Sequence, residues 1–265
     1  MELQGKAALL TGATGGLGRR VAGALAERGA TLVLSSRKPD ELVELAASLP
    51  GEGHRSVVAD LAVEGAALEL VAEAGDVDVL VANAGLPASG RLDSFTQEEI
   101  ERALRVNLEA PMRMARELLV PMVERGSGHL LFVSSLSGHA ATTRSSVYSA
   151  TKFGLRGFAL CLREDLRGTG VGVSVVSPGL IREAGMLAAS GARPPPGLGT
   201  GTPEQVAGAV VKAIEQDRGE ITVGPLRQRI AARIANNAPE LSGRLTRGLA
   251  ARVADQIARG QTEKR

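Results

Sequence analysis

Short apolar segments, rich in Val and Leu, alternate with longer helix-like segments along most of this chain. The apolar segments are Ala7–Leu10, Thr31–Leu34, Ser56–Val58, Val77–Val81, Leu130–Val133, Val171–Val176 and Ile221–Val223. Apolar runs of this length are typical of strands buried on both faces. Their alternation with helices predicts a doubly wound parallel α/β sheet of seven strands, with helices on both faces.

One loop-like stretch interrupts this alternation near the end of the sheet. Residues 190–201 contain three consecutive prolines and four glycines. The helix predicted over Pro203–Gln216 and the strand after it complete the same sheet, so we interpret the stretch as a mobile loop rather than a domain linker. Thr202 before Pro203, with Gln205 following, is typical of a helix N-cap and first turn.

Residues 226–265 form a basic extension to the sheet domain, which we place at residues 1–225. The extension has nine Lys and Arg against three Asp and Glu, whereas the whole chain has a net charge of +2. Apolar residues recur in steps of four at Leu241, Leu245, Leu249, Val253 and Ile257. This spacing predicts a basic amphipathic helical C-terminal extension. It could dock on its own body or on a sister subunit, which we favour, contact an anionic membrane surface, or stay disordered.

The composition narrows the range of functions. Aromatic residues make up only 2% of the 265 residues, which argues against a stacking platform for single-stranded nucleic acid, so we expect no nucleic-acid partner. The single cysteine, Cys161, cannot form an internal disulfide, and no Cys/His zinc spacing occurs. We therefore expect a reducing, cytoplasmic setting and no metal. We interpret Cys161 as a small buried apolar residue and assign no role to His54, His129 or His139.

The first predicted strand runs into a glycine-rich turn, Thr11-Gly-Ala-Thr-Gly-Gly-Leu-Gly18. Glycines at 12, 16 and 18 allow a tight turn and the close approach of a pyrophosphate. The helix predicted from Leu17 to Arg28 would offer that anion free N–H groups and the positive end of its dipole. The strand–turn–helix context indicates a dinucleotide site of the Rossmann type rather than a merely structural turn.

The end of the second strand indicates which dinucleotide is bound. A free ribose 2′-hydroxyl usually meets an Asp or Glu there, whereas Ser36 occupies that position here and Arg37 follows it. A neutral hydroxyl beside a guanidinium suits a 2′-phosphate, because Arg makes forked, charge-assisted hydrogen bonds. We therefore expect NADP(H) rather than NAD(H). The alternative is that Arg37 and Lys38 form a solvated charge pair at the start of a helix.

The candidate acid–base pair is Tyr148 and Lys152, four residues apart near the front of a helix predicted over Ser146–Arg167. This spacing puts both side chains on one helix face. A lysine ammonium about 4–5 Å from the phenol, at an effective dielectric of about 20, would stabilise the phenolate by about 3–4 kcal/mol. We therefore expect the pKa of Tyr148 to be lowered into the range useful for acid–base catalysis.

Other chemical residues follow predicted strands, where ligands bind in such sheets. Ser135 lies after a strand and before a small-residue loop, Asn83-Ala-Gly85 ends the fourth strand, and Asn107 interrupts a helix predicted from about Thr96 to Glu124. With these blocks the chain resembles the short-chain dehydrogenase/reductase family, in its compact single-domain branch. The resemblance covers residues from about 5 to 224 and also includes Asp60 after strand three and Pro178-Gly179.

The resemblance implies a catalytic set of Asn107, Ser135, Tyr148 and Lys152. Tyr148 would exchange a proton with the substrate oxygen, and Ser135 would hydrogen-bond that oxygen. Lys152 would tune Tyr148 and bind the nicotinamide ribose, while Asn107 would hold a water on the proton path to Lys152. The cofactor-binding residues, from the patterns above and from the resemblance, are Thr11, Gly12, Gly16, Leu17, Gly18, Ser36, Arg37, Asp60, Leu61, Asn83, Ala84, Gly85, Tyr148, Lys152, Pro178, Gly179 and Ile181.

The sequence departs from the family pattern at Glu183, where the family often has a Thr that binds the cofactor carboxamide. Either Glu183 accepts a hydrogen bond from that amide, or the loop reorganises and Glu183 faces water, which we favour. The segment from Ile181 to Gly201 is the expected substrate lid. Its residues Met186, Leu187 and Leu198 indicate an apolar or amphipathic guest.

These observations predict a Rossmann-fold enzyme that interconverts a ketone or aldehyde and an alcohol on a small-to-medium apolar substrate, with NADP(H) as cofactor. The alternatives are a catalytically idle NADP-binding regulator or scaffold, and a membrane-peripheral reductase of lipid-like carbonyls. The helix after Tyr148 carries apolar residues on two faces, including Phe153 and Leu155. Together with the resemblance, this predicts a homodimer or homotetramer.

Overall fold

The structure is a computed structural model that describes residues 1–185, 197–237 and 240. Its centre is a seven-stranded sheet in the order β3-β2-β1-β4-β5-β6-β7, and every neighbouring pair is parallel. The strands are β1 Ala7–Thr11, β2 Thr31–Ser36, β3 Arg55–Val58, β4 Val79–Ala82, β5 Gly128–Val133, β6 Val171–Pro178 and β7 Glu220–Val223. The predicted doubly wound, seven-stranded α/β sheet is confirmed.

The helices lie on both faces of this sheet. They are α1 Gly16–Ala26, α2 Pro39–Ser48, α3 Ala66–Ala74, α4 Gln97–Leu104, α5 Ala110–Glu124, α6 Ser146–Asp165, α7 Pro203–Glu215 and α8 Leu226–Asn237. Two short 3₁₀ turns, Leu92–Ser94 and Leu136–Gly138, lie in the loops between them. None of the helices in these described ranges is long and apolar enough to cross a membrane.

Each face of the sheet has its own apolar core. On one face, α1, α2 and α7 bury residues such as Leu25, Leu42 and Val210. On the other face, α3, α5 and α6 bury a second set that includes Met114 and Leu155. Because β4 and β5 are buried along their whole length, they contribute side chains to both cores. This explains why their sequences are mostly apolar rather than alternating; the buried His129 of β5 is the exception, and it is hydrogen-bonded to Ser174.

The strand order reverses beside β1, which pairs with β2 on one side and with β4 on the other. In a doubly wound sheet, the loops leaving such neighbouring strands diverge to opposite faces and leave a crevice at the carboxyl ends. The glycine-rich turn after β1 and the Asn83-Ala-Gly85 segment after β4 border that crevice. The fold therefore places the predicted nucleotide-binding residues at the position where such sheets bind ligands.

Helix α4 does not run directly into α5. The five residues Arg105–Glu109 form a π-helical segment between them, and Asn107 lies at its middle. The expected interruption at Asn107 is therefore confirmed, and its form is a π-bulge of the kind often found at functional sites. The capping box at the start of α7, between Thr202 and Gln205, confirms the predicted N-cap.

Some predicted boundaries differ from the structure by one or two residues. The fourth strand was expected from Val77 but begins at Val79. The preceding Asp78 accepts a hydrogen bond from the backbone N–H of Ala7 through its side chain, at 3.0 Å. Its own backbone N–H donates to the carbonyl of Ala7. Asp78 therefore binds β1 just before β4 begins, and the sequence pattern of a single strand does not show this contact.

The predicted division at residue 225 stays a prediction. Helix α8 is the described part of the extension, and Gln228, Ala232 and Ala235 on its inner face are buried. The amphipathic helix predicted over residues 239–265 lies outside the described residues, apart from residue 240. The lid residues Met186 and Leu187 lie outside them as well.

Candidate active site

The glycine-rich turn requires glycine because it packs closely against neighbouring segments of the chain. Gly12 has a φ of +64°, and a Cβ there would lie 2.9 Å from the Cα of Ala84. A Cβ on Gly18 would collide with the carbonyl oxygen of Gly12. At Gly16 a Cβ would lie 2.8 Å from the Cβ of Ala184, on the loop after β6. Any larger side chain at these positions would collide with neighbouring chain and force the turn at the start of α1 apart.

Thr11 and Asn83 hold the ends of β1 and β4 together beside this turn. The Thr11 hydroxyl accepts hydrogen bonds from the backbone N–H groups of Asn83 and Ala84, at 3.1 and 3.0 Å. The Asn83 amide donates to the carbonyls of Thr11 and Gly12, at 3.0 and 3.2 Å. These bonds fix the width of the crevice, so Thr11 and Asn83 have a structural role as well as the expected contact with cofactor.

The cavity continues to the ends of β2 and β3. Ser36, Arg37, Asp60 and Leu61 all line it, as predicted. The Arg37 guanidinium lies 3.9 Å from the Asp60 carboxylate, and its side chain is 52% exposed. The Ser36 hydroxyl accepts a hydrogen bond from the backbone N–H of Lys38 at 3.1 Å. The Ser36 position thus offers a hydroxyl and a nearby, accessible guanidinium rather than a carboxylate.

Tyr148, Lys152 and Ser135 meet at the carboxyl end of β5. Ser135 follows β5 and accepts a hydrogen bond from the backbone N–H of Ser137 at 3.1 Å. Its side chain lies close enough to the Tyr148 hydroxyl to lower the pKa of that hydroxyl. Lys152 lies one turn further along α6, with its Nζ 5.9 Å from the centroid of the Tyr148 ring. The structure therefore brings these three predicted catalytic residues together.

The expected lowering of the Tyr148 pKa is wrong for this structure. Burial raises the pKa of Tyr148 to about 12, and the neighbouring Ser135 side chain offsets only part of that rise. Lys152 is 3% exposed, and burial lowers its pKa to about 8. Its Nζ donates to the carbonyl of Val133 at 3.0 Å and faces the tyrosine ring. The phenol therefore keeps its proton at neutral pH, as a proton donor must.

Asn107 is fully buried and is held by the chain after β4. Its amide nitrogen donates to the carbonyl of Leu86 at 3.0 Å, and its amide oxygen accepts from the N–H of Leu86 at 2.7 Å. Gly85 lies between Asn107 and Lys152, since a Cβ there would be 3.4 Å from Oδ1 and 3.7 Å from Nζ. Asn107 thus positions the wall beside Lys152; the water relay that the resemblance implies stays a prediction.

The loop after β6 completes the cavity. Pro178, Gly179 and Ile181 line it, and Ile181 forms a parallel β-bridge with Gly201. Glu183 also lies at the edge, but its side chain is 74% exposed and pairs with Arg182 at 3.5 Å. This agrees with the favoured interpretation that Glu183 faces water.

Helix α8 supplies site residues that sequence reasoning missed. Gln228, Ala231, Ala232 and Ala235 line the same cavity, which has a volume of about 1100 Å³. Gln228 is 6% exposed and hydrogen-bonds backbone on both sides of the lid segment. The small residues at helical spacing beside Gln228 are a signal that this helix packs closely against another part of the protein. The sequence does not show that this other part is the cavity. The extension therefore contributes a wall of the cavity.

Cys161 and the histidines lie outside this arrangement. The interpretation of Cys161 as buried is wrong for the single chain, because the residue lies on the outward face of α6 and is exposed. His129 is buried against the hydroxyl of Ser174, and burial lowers its pKa to about 4. His139 is buried against Ser177. In the described part of the chain, no group of three potential ligands is placed to hold a metal ion.

Comparisons with known proteins agree with this geometry. The family model described as short chain dehydrogenase matches residues 6–194. The Ketoacyl reductase HetN of Nostoc sp. is 38% identical over 227 residues, which cover 83% of this chain and 79% of that protein. An uncharacterized oxidoreductase of Thermotoga maritima is 33% identical over 74% of this chain and 80% of its own length.

Solved structures show the same likeness. A short chain dehydrogenase/reductase family protein superposes with a TM-score of 0.77 at 31% identity, covering 84% of this chain and 97% of that one. A 3-oxoacyl (acyl-carrier-protein) reductase from Agrobacterium tumefaciens C58, with NADP bound, gives a TM-score of 0.75 at 26% identity. It covers 83% of this chain and 93% of its own. The chain belongs to the short-chain dehydrogenase/reductase family and is an oxidoreductase that binds a nicotinamide cofactor.

Proposed function

We propose that the protein is an NADP(H)-dependent reductase of ketones or aldehydes on small-to-medium apolar substrates, which also runs in reverse on the corresponding alcohols. The observation that carries this proposal is the meeting of Tyr148, Ser135 and Lys152 at the carboxyl end of β5. These groups lie in one continuous cavity with the glycine cradle that fits a pyrophosphate. A nicotinamide bound there supplies the hydride for carbonyl reduction and accepts it in the reverse direction.

The chain's own residues then handle the substrate oxygen and its proton. Ser135 donates a hydrogen bond to the carbonyl oxygen and stabilises the negative charge that develops on it. Tyr148, whose high pKa keeps it protonated, transfers its proton to that oxygen and completes the alcohol. The Lys152 ammonium stabilises the phenolate that remains, because opposite charges attract strongly in this buried site. The reverse reaction moves the same proton from the alcohol to Tyr148.

The proposed preference for NADP(H) rests on Ser36 and Arg37. A 2′-phosphate brings two negative charges, which an acidic residue at the Ser36 position would repel. Arg37 is more than half exposed and its ion pair with Asp60 is long, at 3.9 Å, so it can turn to the phosphate. The NADP bound in the Agrobacterium structure supports the same choice.

The proposed substrate class follows from the walls of the cavity and from the relatives. Alanines of α8 and apolar residues such as Leu136, Leu180 and Leu198 line the substrate side. Two of the relatives carry ketoacyl or oxoacyl reductase names. A 3-oxoacyl thioester is therefore the first substrate to test, beside simple aliphatic and alicyclic ketones.

The test is to mix purified protein with NADPH or NADH and a panel of these carbonyls, and to follow oxidation of the dinucleotide. We expect turnover with at least one apolar carbonyl and a higher kcat/KM with NADPH. Binding of NADPH without turnover on any member of the panel would favour the idle regulator instead.

We also propose that the enzyme works in the cytoplasm as a homodimer or homotetramer that pairs through α5 and α6. Both helices expose apolar side chains, among them Val120 at 49% and Phe153 at 39%. Cys161 lies on the same outward side of α6 and would be covered by such pairing. Light scattering of the purified protein measures its mass, and Phe153→Glu should shift it toward the monomer.

A further inference from the structure

Helix α8 presents two chemically different faces. Its inner face buries Gln228, Ala232 and Ala235 against the cavity. Its outer face carries Leu226, Ile230 and Ile234, which are 66%, 49% and 48% exposed. These three residues recur in steps of four, so at about 100° per residue they form one continuous stripe along the helix. We call them the α8 stripe; large apolar side chains exposed in such a row indicate an interaction surface.

Arginines flank the α8 stripe on both sides. Arg229 and Arg233 lie along one edge, and Arg227 lies along the other. Within the part of the chain that the structure describes, none of the three forms an ion pair. Arg229 contacts the Thr222 hydroxyl at 3.3 Å, and Arg227 contacts the carbonyl of Gly197 at 3.4 Å. Their positive charges therefore remain available to an anionic partner.

The α8 stripe also borders the mouth of the active-site cavity. Ala231 is exposed and lines the cavity, and it lies between the stripe and the buried Ala235 on the helix surface. A flat partner bound to the α8 stripe would therefore lie next to the mouth of the cavity, through which an apolar substrate enters.

The stripe is too small to join two copies of this chain by itself. A 12-residue helix is about 18 Å long, and one face of it offers roughly 200 Å². A stable protein–protein interface buries about 800 Å² on each partner. The chain's own C-terminal residues are not electrostatically complementary either, because residues 241–265 carry six Lys and Arg against two Asp and Glu.

We propose that the outer face of α8 docks on an anionic lipid surface, with Leu226, Ile230 and Ile234 inserted at the level of the headgroups. The flanking arginines would lie among the negatively charged headgroups, which is how amphipathic basic helices bind the membrane interface. This surface is independent of the reaction, because none of these six side chains belongs to the catalytic set. Its position would present the cavity to amphiphilic substrates held in the lipid.

The test is cosedimentation of the full-length protein with vesicles of phosphatidylcholine alone, or with about one third phosphatidylglycerol added, at low and high salt. The variant is I230E/I234E, which places two charges on the stripe four residues apart. The control is V43E/A47E, which places two charges at the same spacing on the exposed side of α2, where Val43 is 62% exposed. Circular dichroism and carbonyl reduction in lipid-free solution check that both variants are folded and active.

We expect wild-type protein and V43E/A47E to bind the anionic vesicles and to be released by high salt. We expect I230E/I234E to bind them at least about tenfold more weakly, with unchanged activity in solution. The proposal is overturned if wild-type protein ignores anionic vesicles, or if I230E/I234E binds them as well as wild type. It is also overturned if I230E/I234E lowers the assembled mass in light scattering, since the stripe would then be an interface between copies.

Discussion

Gln228 on α8 holds the backbone of Leu180, which lies 48 residues earlier in the chain, at the start of the lid segment. Its amide oxygen accepts a hydrogen bond from the Leu180 N–H at 3.0 Å. Its amide nitrogen donates to the carbonyl of Gly199 at 2.7 Å, on the far side of the same segment. One buried side chain therefore joins both ends of the lid to the helix that walls the cavity.

We predict that Gln228→Ala lowers both stability and substrate affinity. The N–H of Leu180 and the carbonyl of Gly199 would lose their partner, at a cost of about 1–3 kcal/mol. The melting temperature should fall by several degrees and KM for the carbonyl should rise more than kcat falls. Gln97→Ala, on the exposed surface of α4, is the control and should change neither. An unaltered KM in Gln228→Ala would show that the lid is held by other contacts.

A second prediction concerns cofactor choice. Arg37→Gln should weaken NADPH binding by about 10- to 100-fold, because one charge-assisted contact to the 2′-phosphate contributes about 1.5–3 kcal/mol. Binding of NADH, which lacks that phosphate, should change little. Isothermal titration with both dinucleotides measures the difference, and Arg20→Gln on α1 serves as the control. Equal losses for NADPH and NADH would contradict the assignment of Arg37.

The protonation state of Tyr148 can be measured directly, since it is the only tyrosine in the chain and there is no tryptophan. Burial raises its pKa to about 12, so the phenolate absorbance of the native protein should appear only as the pH rises through about 12. The unfolded chain should show it near pH 10. A native transition below pH 10 would mean that Lys152 acidifies the phenol after all, as the helix spacing alone had predicted.

We predict that Lys152→Met loses activity and gains stability. Burial lowers the pKa of Lys152 from 10.5 to about 8, so keeping it charged disfavours the folded state by about 3 kcal/mol at neutral pH. The variant should therefore melt higher than wild type at pH 7, while losing most of its turnover. This advantage should be constant below pH 8 and shrink between pH 8 and 10.5, where the folded protein has already lost this proton and the unfolded chain still holds it.

The control for that measurement is Lys212→Met, on the exposed side of α7, which should leave stability nearly unchanged at every pH. A Lys152→Met protein that melts lower than wild type at pH 7 would show that the hydrogen bond to Val133 outweighs the burial of the charge.

The sequence predicts most of this fold because its signals are local. The runs at Leu130–Val133 and Val171–Val176 are strands with both faces buried, and burial on both faces favours apolar residues; Ser174 is buried there because its hydroxyl is hydrogen-bonded to His129. The capping residues Thr202 and Gln205 act within one helical turn, so their pattern is readable as well. Strand ends such as that at Val79 depend on a contact with a neighbouring strand, and single-strand patterns do not contain that information.

The features of the site likewise divide into those that a local sequence pattern predicts and those that tertiary packing determines. Tyr148 and Lys152 share one helix, so their spacing was sufficient to place them together. The direction of the Tyr148 pKa shift depends on how far the folded chain removes its hydroxyl from water, and the spacing of two residues cannot supply this. The exposure of Cys161 and the contact of Gln228 with Leu180 likewise result from tertiary packing.

The central claim of this account is that Tyr148 donates the proton in carbonyl reduction. The most direct test is to replace it with Phe, which keeps the ring and removes only the hydroxyl, and to measure the single-turnover rate of NADPH oxidation with a carbonyl substrate. We predict a fall of about 10²- to 10⁴-fold, with NADPH affinity nearly unchanged. A rate within a factor of two of wild type would contradict the claim and leave the chain without its proposed acid.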